Sequence, residues 1–345
     1  MKSIVLTHLK QLEIKEVPKP QLIGDDDVLL KVGAVGVCGS DIHYFAEGRI
    51  GDQVVNFPFV IGHECSAIVE SIGKNVKKLK PGDKVAVEPA VSCGKCDQCQ
   101  IGRFNTCRKL RFLGCPGQLE GCLSEYIIMP AENCFLLNPE LTLSEGALIE
   151  PLSIGAYAVS FLENSRAEKV TILGAGPIGL SVLLSVKSKG EKTIFVTDKI
   201  DRRLEAAREI GADWSGNPEN VDIVERIRDA EPLLMDAVFE CCGKQEALDQ
   251  AIDLLKPGGK LIMVGIPSED RVDFDVSKMR RKEIVIQNVR RQNMAIADAI
   301  KVLEENRTKA GLMITHNFSL FESQKAFELV AGYKDGVIKA MIRFE

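Results

Sequence analysis

The chain has 345 residues, 45% hydrophobic and 27% charged, with 44 Lys plus Arg against 49 Asp plus Glu for a formal net charge of −5. That length predicts about two domains, each able to bury a core without disulfide staples, and the composition excludes collagen-like repeats and long disordered tails. The acidic balance argues against nucleic acid or an anionic membrane as the main partner, since both favour basic surfaces.

In chain order, Ser3–Leu6, Val28–Val35 and Lys84–Val87 read as short strands, the last after a turn at Lys80-Pro81-Gly82-Asp83. No apolar run of sufficient length follows Met1, so no secretory signal is expected and the reading is a cytoplasmic protein. Eleven cysteines, an odd number, then read as metal ligands or free thiols, not as a disulfide framework. The stretch from Cys93 to Cys107 is irregular. From about Ser153 strands and helices alternate. Lys169–Leu173, Thr193–Thr197, Met235–Glu240, Lys260–Val264 and Glu283–Gln287 are strand candidates. Ile178–Ser188, Arg202–Ile210 and Glu246–Leu255 are helix candidates, the last stopped by Lys256-Pro257-Gly258-Gly259. The rhythm implies an α/β fold with a doubly wound parallel sheet. The uncharged run Val170–Val186 approaches membrane-span length, but its three glycines and proline fit a strand, a turn and a helix instead. Helices at Ala295–Asn306 and Leu320–Ala331 and a strand at Gly336–Phe344 complete the chain.

Two motifs carry chemistry by spacing alone. Gly174-Ala175-Gly176-Pro177-Ile178-Gly179 fits the dinucleotide pattern G-x-G-x-x-G, follows a strand, opens a helix, and is followed 19 residues after Gly179 by Asp198 at the end of the next strand. Gly174 permits the tight turn, Gly176 lets the backbone approach the pyrophosphate, and Gly179 lets the helix pack on the sheet. Free N–H groups of the helix start face the phosphates. Asp198 accepts from the ribose hydroxyls and repels a 2′-phosphate, which favours NAD over NADP. Cys93, Cys96, Cys99 and Cys107 place four thiols within fifteen residues, a closed tetrahedral zinc site by spacing. An iron–sulfur cluster is the competing reading, and the absence of a following Cys-Pro favours zinc.

A third constellation is dispersed: Cys38 in Gly36-Val37-Cys38-Gly39-Ser40-Asp41-Ile42-His43, His63 and Glu64 in Gly62-His63-Glu64-Cys65-Ser66-Ala67, and Glu150 in Glu150-Pro151-Leu152-Ser153. With the four-cysteine lobe, the glycine turn and Phe239-Glu240-Cys241-Cys242-Gly243, these segments resemble the zinc-dependent medium-chain dehydrogenases, in their sorbitol/xylitol/iditol branch, over essentially the whole chain. The resemblance implies a GroES-like, mostly β catalytic domain at 1–150 and 288–345 with an inserted Rossmann domain at 151–287. It implies a catalytic zinc held by Cys38 and His63, with Glu64 or Glu150 supplying carboxylate oxygen directly or through water. Ser40 then passes a proton from substrate towards the ribose and His43, and Tyr44 lines the pocket. Gly174, Gly176, Pro177, Ile178, Gly179, Asp198, Arg203 and Val264 are the expected cofactor contacts. A homo-tetramer, or else a dimer, is implied as the assembly. Ala67 stands where the family usually has glycine. In Asn288-Val289-Arg290-Arg291-Gln292-Asn293, Arg290 matches the arginine of the Arg-Tyr pair found in polyol enzymes, and Arg291 replaces the tyrosine. The resemblance places Arg290 at the cleft between the domains, where it faces substrate.

The chemistry stands on its own terms. Zinc with an open position lowers the pKa of a secondary alcohol, hydride passes to nicotinamide, and a serine and a histidine carry the proton away. The expected activity is oxidation of a polyol to a ketose by NAD. A sugar acid, sugar phosphate or threonine as substrate, and a non-catalytic cofactor-binding protein, are the alternatives. Cys65, Cys115, Cys122, Cys134, Cys241 and Cys242 read as packing thiols.

Overall fold

The structure is a computed structural model that describes residues 1–345 except 23, 164–166, 191, 268, 270 and 345. The chain forms two compact units, residues 1–150 with 314–345 and residues 151–313.

The first unit is built on one long strand, Asp27–Gly36, buried along most of its length. Its alternation of Val28, Leu30 and Val32 on the core side makes it the centre of a mostly antiparallel sheet. It pairs antiparallel with Glu64–Ile72, Tyr126–Pro130 and Lys339–Arg343. Glu64–Ile72 continues to Lys84–Val87 and then Cys134–Leu136, and Lys339–Arg343 pairs in parallel with Ile314–Ser319. Each fully buried Val, Leu or Ile here contributes roughly 1.5–3 kcal/mol relative to exposure. The strand Glu64–Ile72 is not among the sequence expectations, although Cys65, Ala67 and Val69 alternate along its buried face against Glu64, Ser66 and Glu70. The helix Gly39–Glu47 is not among them either. With nine residues the helix is too short to show a period, and it depends on tertiary partners instead.

The second unit carries a six-stranded parallel sheet in the order Trp214–Gly216, Thr193–Thr197, Lys169–Leu173, Met235–Glu240, Leu255–Met263, Val285–Asn288. Connections leave Lys169–Leu173 first to one side and then to the other, so a switch point lies beside this strand at its C-terminal end. The helix before Lys256-Pro257-Gly258-Gly259 stops at Leu254, one residue earlier than expected, and the four residues lie inside the strand Leu255–Met263 as a bulge, where the register jumps from Met235↔Leu255 to Ala237↔Lys260. Proline without an N–H and Gly258 at φ +75° suit such an interruption.

The second domain boundary falls at 313/314 rather than 287/288. Residues 288–313 belong with the parallel sheet for physical reasons. Val289 N–H donates to Met263 O at 2.9 Å, the helix Ile296–Glu305 packs on the helix Pro177–Ser188, and Asn306 Nδ2 donates to Ser188 Oγ at 3.1 Å. Among the described residues, no helix is long and apolar enough to cross a membrane.

Candidate active site and metal centres

The sheet register assembles the dispersed constellation. Gly36 lies opposite Glu64 on one side and Met341 on the other. Cys38, two residues past the strand end, therefore meets His63 and Glu64 at the start of the facing strand. Glycine at position 36 leaves room for this approach: a Cβ there would lie 2.3 Å from Glu64 Oε2 and would displace the carboxylate. Ligand atoms of Cys38, His63 and Glu64 all fall within 4.8 Å of one another.

Asp41, which the sequence reading passed over, organises this group. Its Oδ2 accepts from Cys38 N–H at 3.2 Å, capping the helix Gly39–Glu47, and its Oδ1 accepts from Gly62 N–H at 3.2 Å and lies 3.2 Å from His63 Nδ1. With Nδ1–H donated to Asp41, Nε2 of His63 presents its lone pair to a metal. Burial opposes a charged imidazole, yet the Asp41 carboxylate and Cys38 hold the His63 pKa well above its ordinary value. The Cys38…Asp41 spacing is that of a capping box, and this was the signal available in the sequence.

Lys339, from the last strand, is the second residue the sequence reading missed. Its Nζ donates to Glu64 Oε1 and Oε2 at 2.7 and 2.6 Å and to Val37 O at 3.3 Å, with both side chains only 1% exposed. A lone lysine in an apolar strand, 275 residues from its partner, offers no local clue. Glu150 is buried nearby but outside the three-residue cluster. Burial pushes its carboxyl up to about 8, with Glu64 and Glu88 adding to the rise against His63 and Lys339. Ser40 Oγ donates to Cys38 Sγ at 3.3 Å, and Ser40, His43 and Tyr44 share one helix face by their spacing. His43 Nδ1 lies 3.3 Å from Glu47 Oε1. Tyr44 is buried in the core of the unit, its hydroxyl donating to Gln53 Oε1 at 2.9 Å.

The four thiols converge as the spacing predicts. Pairing of Ala90–Val91 with Arg111–Phe112 closes the base of the lobe, and the helix Asp97–Gln100 carries Cys99 with Cys96 at its start. Sulfur–sulfur distances of 3.6 Å (Cys96–Cys99) and 3.8 Å (Cys96–Cys107) match a tetrahedron edge for zinc–sulfur bonds of about 2.3 Å. They are far too long for a disulfide, and sulfurs on separate irons of a cluster would stand further apart. Backbone N–H groups of Cys99 and Arg108 lower the Cys96 thiol to about 6, while burial and neighbouring sulfurs push Cys99 up to about 11. Four adjacent thiols cannot all ionise without a cation to share.

In the second unit, Gly174 N–H donates to Thr197 O at 2.8 Å, and a Cβ on Gly179 would lie 1.7 Å from Gly174 O, so the helix seats directly on the turn. A Cβ on Gly176 would meet only Arg203 Nη1, at 3.6 Å, which leaves room for a pyrophosphate. Pro177 opens the helix at its first turn, followed by Ile178. Asp198 accepts from Ala175 N–H at 2.8 Å and Ile200 N–H at 2.9 Å, with Arg203 Nη1 3.7 Å away. Val264 N–H donates to Glu240 O at 2.8 Å. Arg290 and Arg291 follow the strand Val285–Asn288 in this same unit, Arg291 at φ +54°. The turn fits a dinucleotide and both sulfur-containing clusters fit zinc.

One thiol, one imidazole and one carboxylate placed where they could hold a metal ion, in a chain that also carries a Rossmann sheet, are the parts of a zinc-type alcohol dehydrogenase. Comparison with known proteins agrees. Residues 24–139 match the alcohol dehydrogenase GroES-like domain and residues 177–305 match the zinc-binding dehydrogenase domain. The chain is similar to a sorbitol dehydrogenase of Bacillus subtilis, 36% identical over 99% of this chain and 97% of that protein. It is also similar to an L-idonate 5-dehydrogenase of Vitis vinifera, 34% identical over 94% and 90%. Among solved structures, an alcohol dehydrogenase from Escherichia coli CFT073 complexed with NADH superposes with a TM-score of 0.88 at 30% identity, covering 100% of this chain and 99% of that one. The chain belongs to the zinc-binding dehydrogenase family, in its sorbitol dehydrogenase branch. It is an NAD- and zinc-dependent oxidoreductase of the alcohol dehydrogenase type.

Proposed function

We propose that the protein oxidises a secondary alcohol of a sorbitol-, xylitol- or iditol-type polyol to the ketose, with NAD as hydride acceptor. The observation that supports this most is the convergence of Cys38, His63 and Glu64, with the Ser40 hydroxyl on the same cluster. In this reading Cys38 Sγ, His63 Nε2 and Glu64 would hold the catalytic zinc, with Glu150 as the alternative source of carboxylate oxygen, directly or through water. Cys93, Cys96, Cys99 and Cys107 hold the structural one. Zinc bound there supplies Lewis acidity that makes an alcohol hydroxyl acidic at neutral pH. Ser40 Oγ accepts that proton as it releases its own hydroxyl proton towards the cofactor's ribose and on to Nε2 of His43, whose Nδ1 faces Glu47. Asp41 keeps His63 in the ligating tautomer, and Lys339 fixes the Glu64 carboxylate. Asp198, Arg203 and the turn Gly174–Gly179 bind the adenosine half of NAD.

A second reading has a specific support. Arg291 replaces the tyrosine of neutral-polyol enzymes, and paired guanidiniums favour a carboxylate or phosphate at the far end of the substrate. The L-idonate relative acts, by its name, on a sugar acid. A panel of polyols, aldonates and polyol phosphates assayed for NADH formation separates the two. If the arginines read an anion, Arg291→Tyr shifts the neutral-to-anionic ratio of kcat/KM by roughly ten- to a hundredfold, the loss of one charge-assisted contact. An unchanged ratio leaves the plain polyol assignment.

A further inference from the structure

Glu240 is fully buried at the end of the strand Met235–Glu240 and has no part in the chemistry above. Its Oε1 accepts from Cys242 N–H and Gly243 N–H, both at 2.6 Å. Its backbone carbonyl accepts from Val264 N–H at 2.8 Å and Gly265 N–H at 2.9 Å. Oε2 is buried and has no hydrogen-bond partner among the described residues; a Cβ on Gly265 would lie 2.7 Å from it and 2.3 Å from Gly243 N. One residue therefore ties the loop after its own strand to the loop after the next. The first of these loops touches the dinucleotide turn. Cys241 N–H donates to Leu173 O at 2.9 Å, Cys242 Sγ donates to the same oxygen at 3.1 Å, and a Cβ on Gly174 would lie 2.8 Å from Cys242 Sγ.

We propose that Glu240 is a positioning residue for the dinucleotide: by chelating two successive N–H groups it holds Cys242 against Gly174 and so sets the form of the turn Gly174–Gly179. This rests on the reading that the turn binds NAD. The N–H groups of Cys242 and Gly243 both point at Oε1, so the loop needs an acceptor oxygen at this point, and burial raises the carboxyl's pKa against the pull of those donors. Glutamine supplies that oxygen and alanine does not. Gly265→Ala disturbs the same junction from the other side, its Cβ crowding Gly243 N and Glu240 Oε2, while the chain keeps its carboxyl.

The test is NADH affinity, read by fluorescence titration of the zinc-loaded enzyme, beside kcat at saturating NAD and polyol. Wild type is titrated first; failure of wild type to bind NADH would overturn the cofactor reading itself. Given binding, Glu240→Ala and Gly265→Ala are expected to raise the NADH Kd by about tenfold or more, since misplacement of a binding loop by an ångström costs on that scale. Their kcat is expected to stay within about threefold, and Glu240→Gln to restore affinity to within about threefold of wild type. Wild-type Kd in folded Glu240→Ala refutes the proposal, as does a lowered melting temperature with unchanged Kd. If Glu240→Ala does not fold, wild-type Kd in Gly265→Ala refutes it equally.

Discussion

Replacing Lys339 with methionine should strand the Glu64 carboxylate. Both its oxygens lie within 2.7 Å of the lysine Nζ, and both side chains are 1% exposed, so water cannot take over as partner. Removing one member of a buried ion pair costs on the order of 3–5 kcal/mol, mostly because the other charge stays buried and unpaired. For a unit of this size each kcal/mol lowers the melting temperature by roughly 2–4 °C, so metal-stripped Lys339→Met should melt about 6–20 °C below metal-stripped wild type. Zinc at Cys38, His63 and Glu64 brings positive charge back to the carboxylate. The deficit, each variant compared with wild type in the same metal state, should therefore at least halve on reloading. The double variant Lys339→Met/Glu64→Gln, which leaves no stranded charge, should recover most of the loss in the stripped state. Circular-dichroism melts of stripped and reloaded protein at pH 7 read all of these. A stripped-state loss below about 1 kcal/mol, or equal losses in the single and double variants, refutes the argument.

Cys38→Ser should remove one zinc per chain and abolish turnover while NADH still binds, whereas Cys96→Ser should remove the other zinc and lower the melting temperature; metal analysis beside activity distinguishes them. Full activity in Cys38→Ser of verified zinc content would sink the catalytic assignment. Asp198→Ala should raise the KM for NAD by roughly ten- to a hundredfold, the loss of charge-assisted hydrogen bonds, and narrow the gap to NADP. A wild-type enzyme that prefers NADP at equal concentration contradicts that reading.

What the sequence determined by itself is local in the chain. The strands Lys169–Leu173, Thr193–Thr197 and Met235–Glu240 were legible to the residue because short apolar runs between turn residues have few other fates. The glycine turn and the four-thiol lobe were legible because their chemistry lies within a few turns of backbone. Cys38, His63, Glu64 and Glu150 were individually ordinary, and only family resemblance joined them. The tertiary structure decided the rest. Opposing Gly36 to both Glu64 and Met341 is a matter of strand register, set by which alternation buries its apolar face, and no short window of sequence contains it. The same holds for the lysine that reaches Glu64 across 275 residues. It holds too for residues 288–313, whose helix pattern is clear in the sequence but whose allegiance to the parallel sheet depends on which apolar surface they cover.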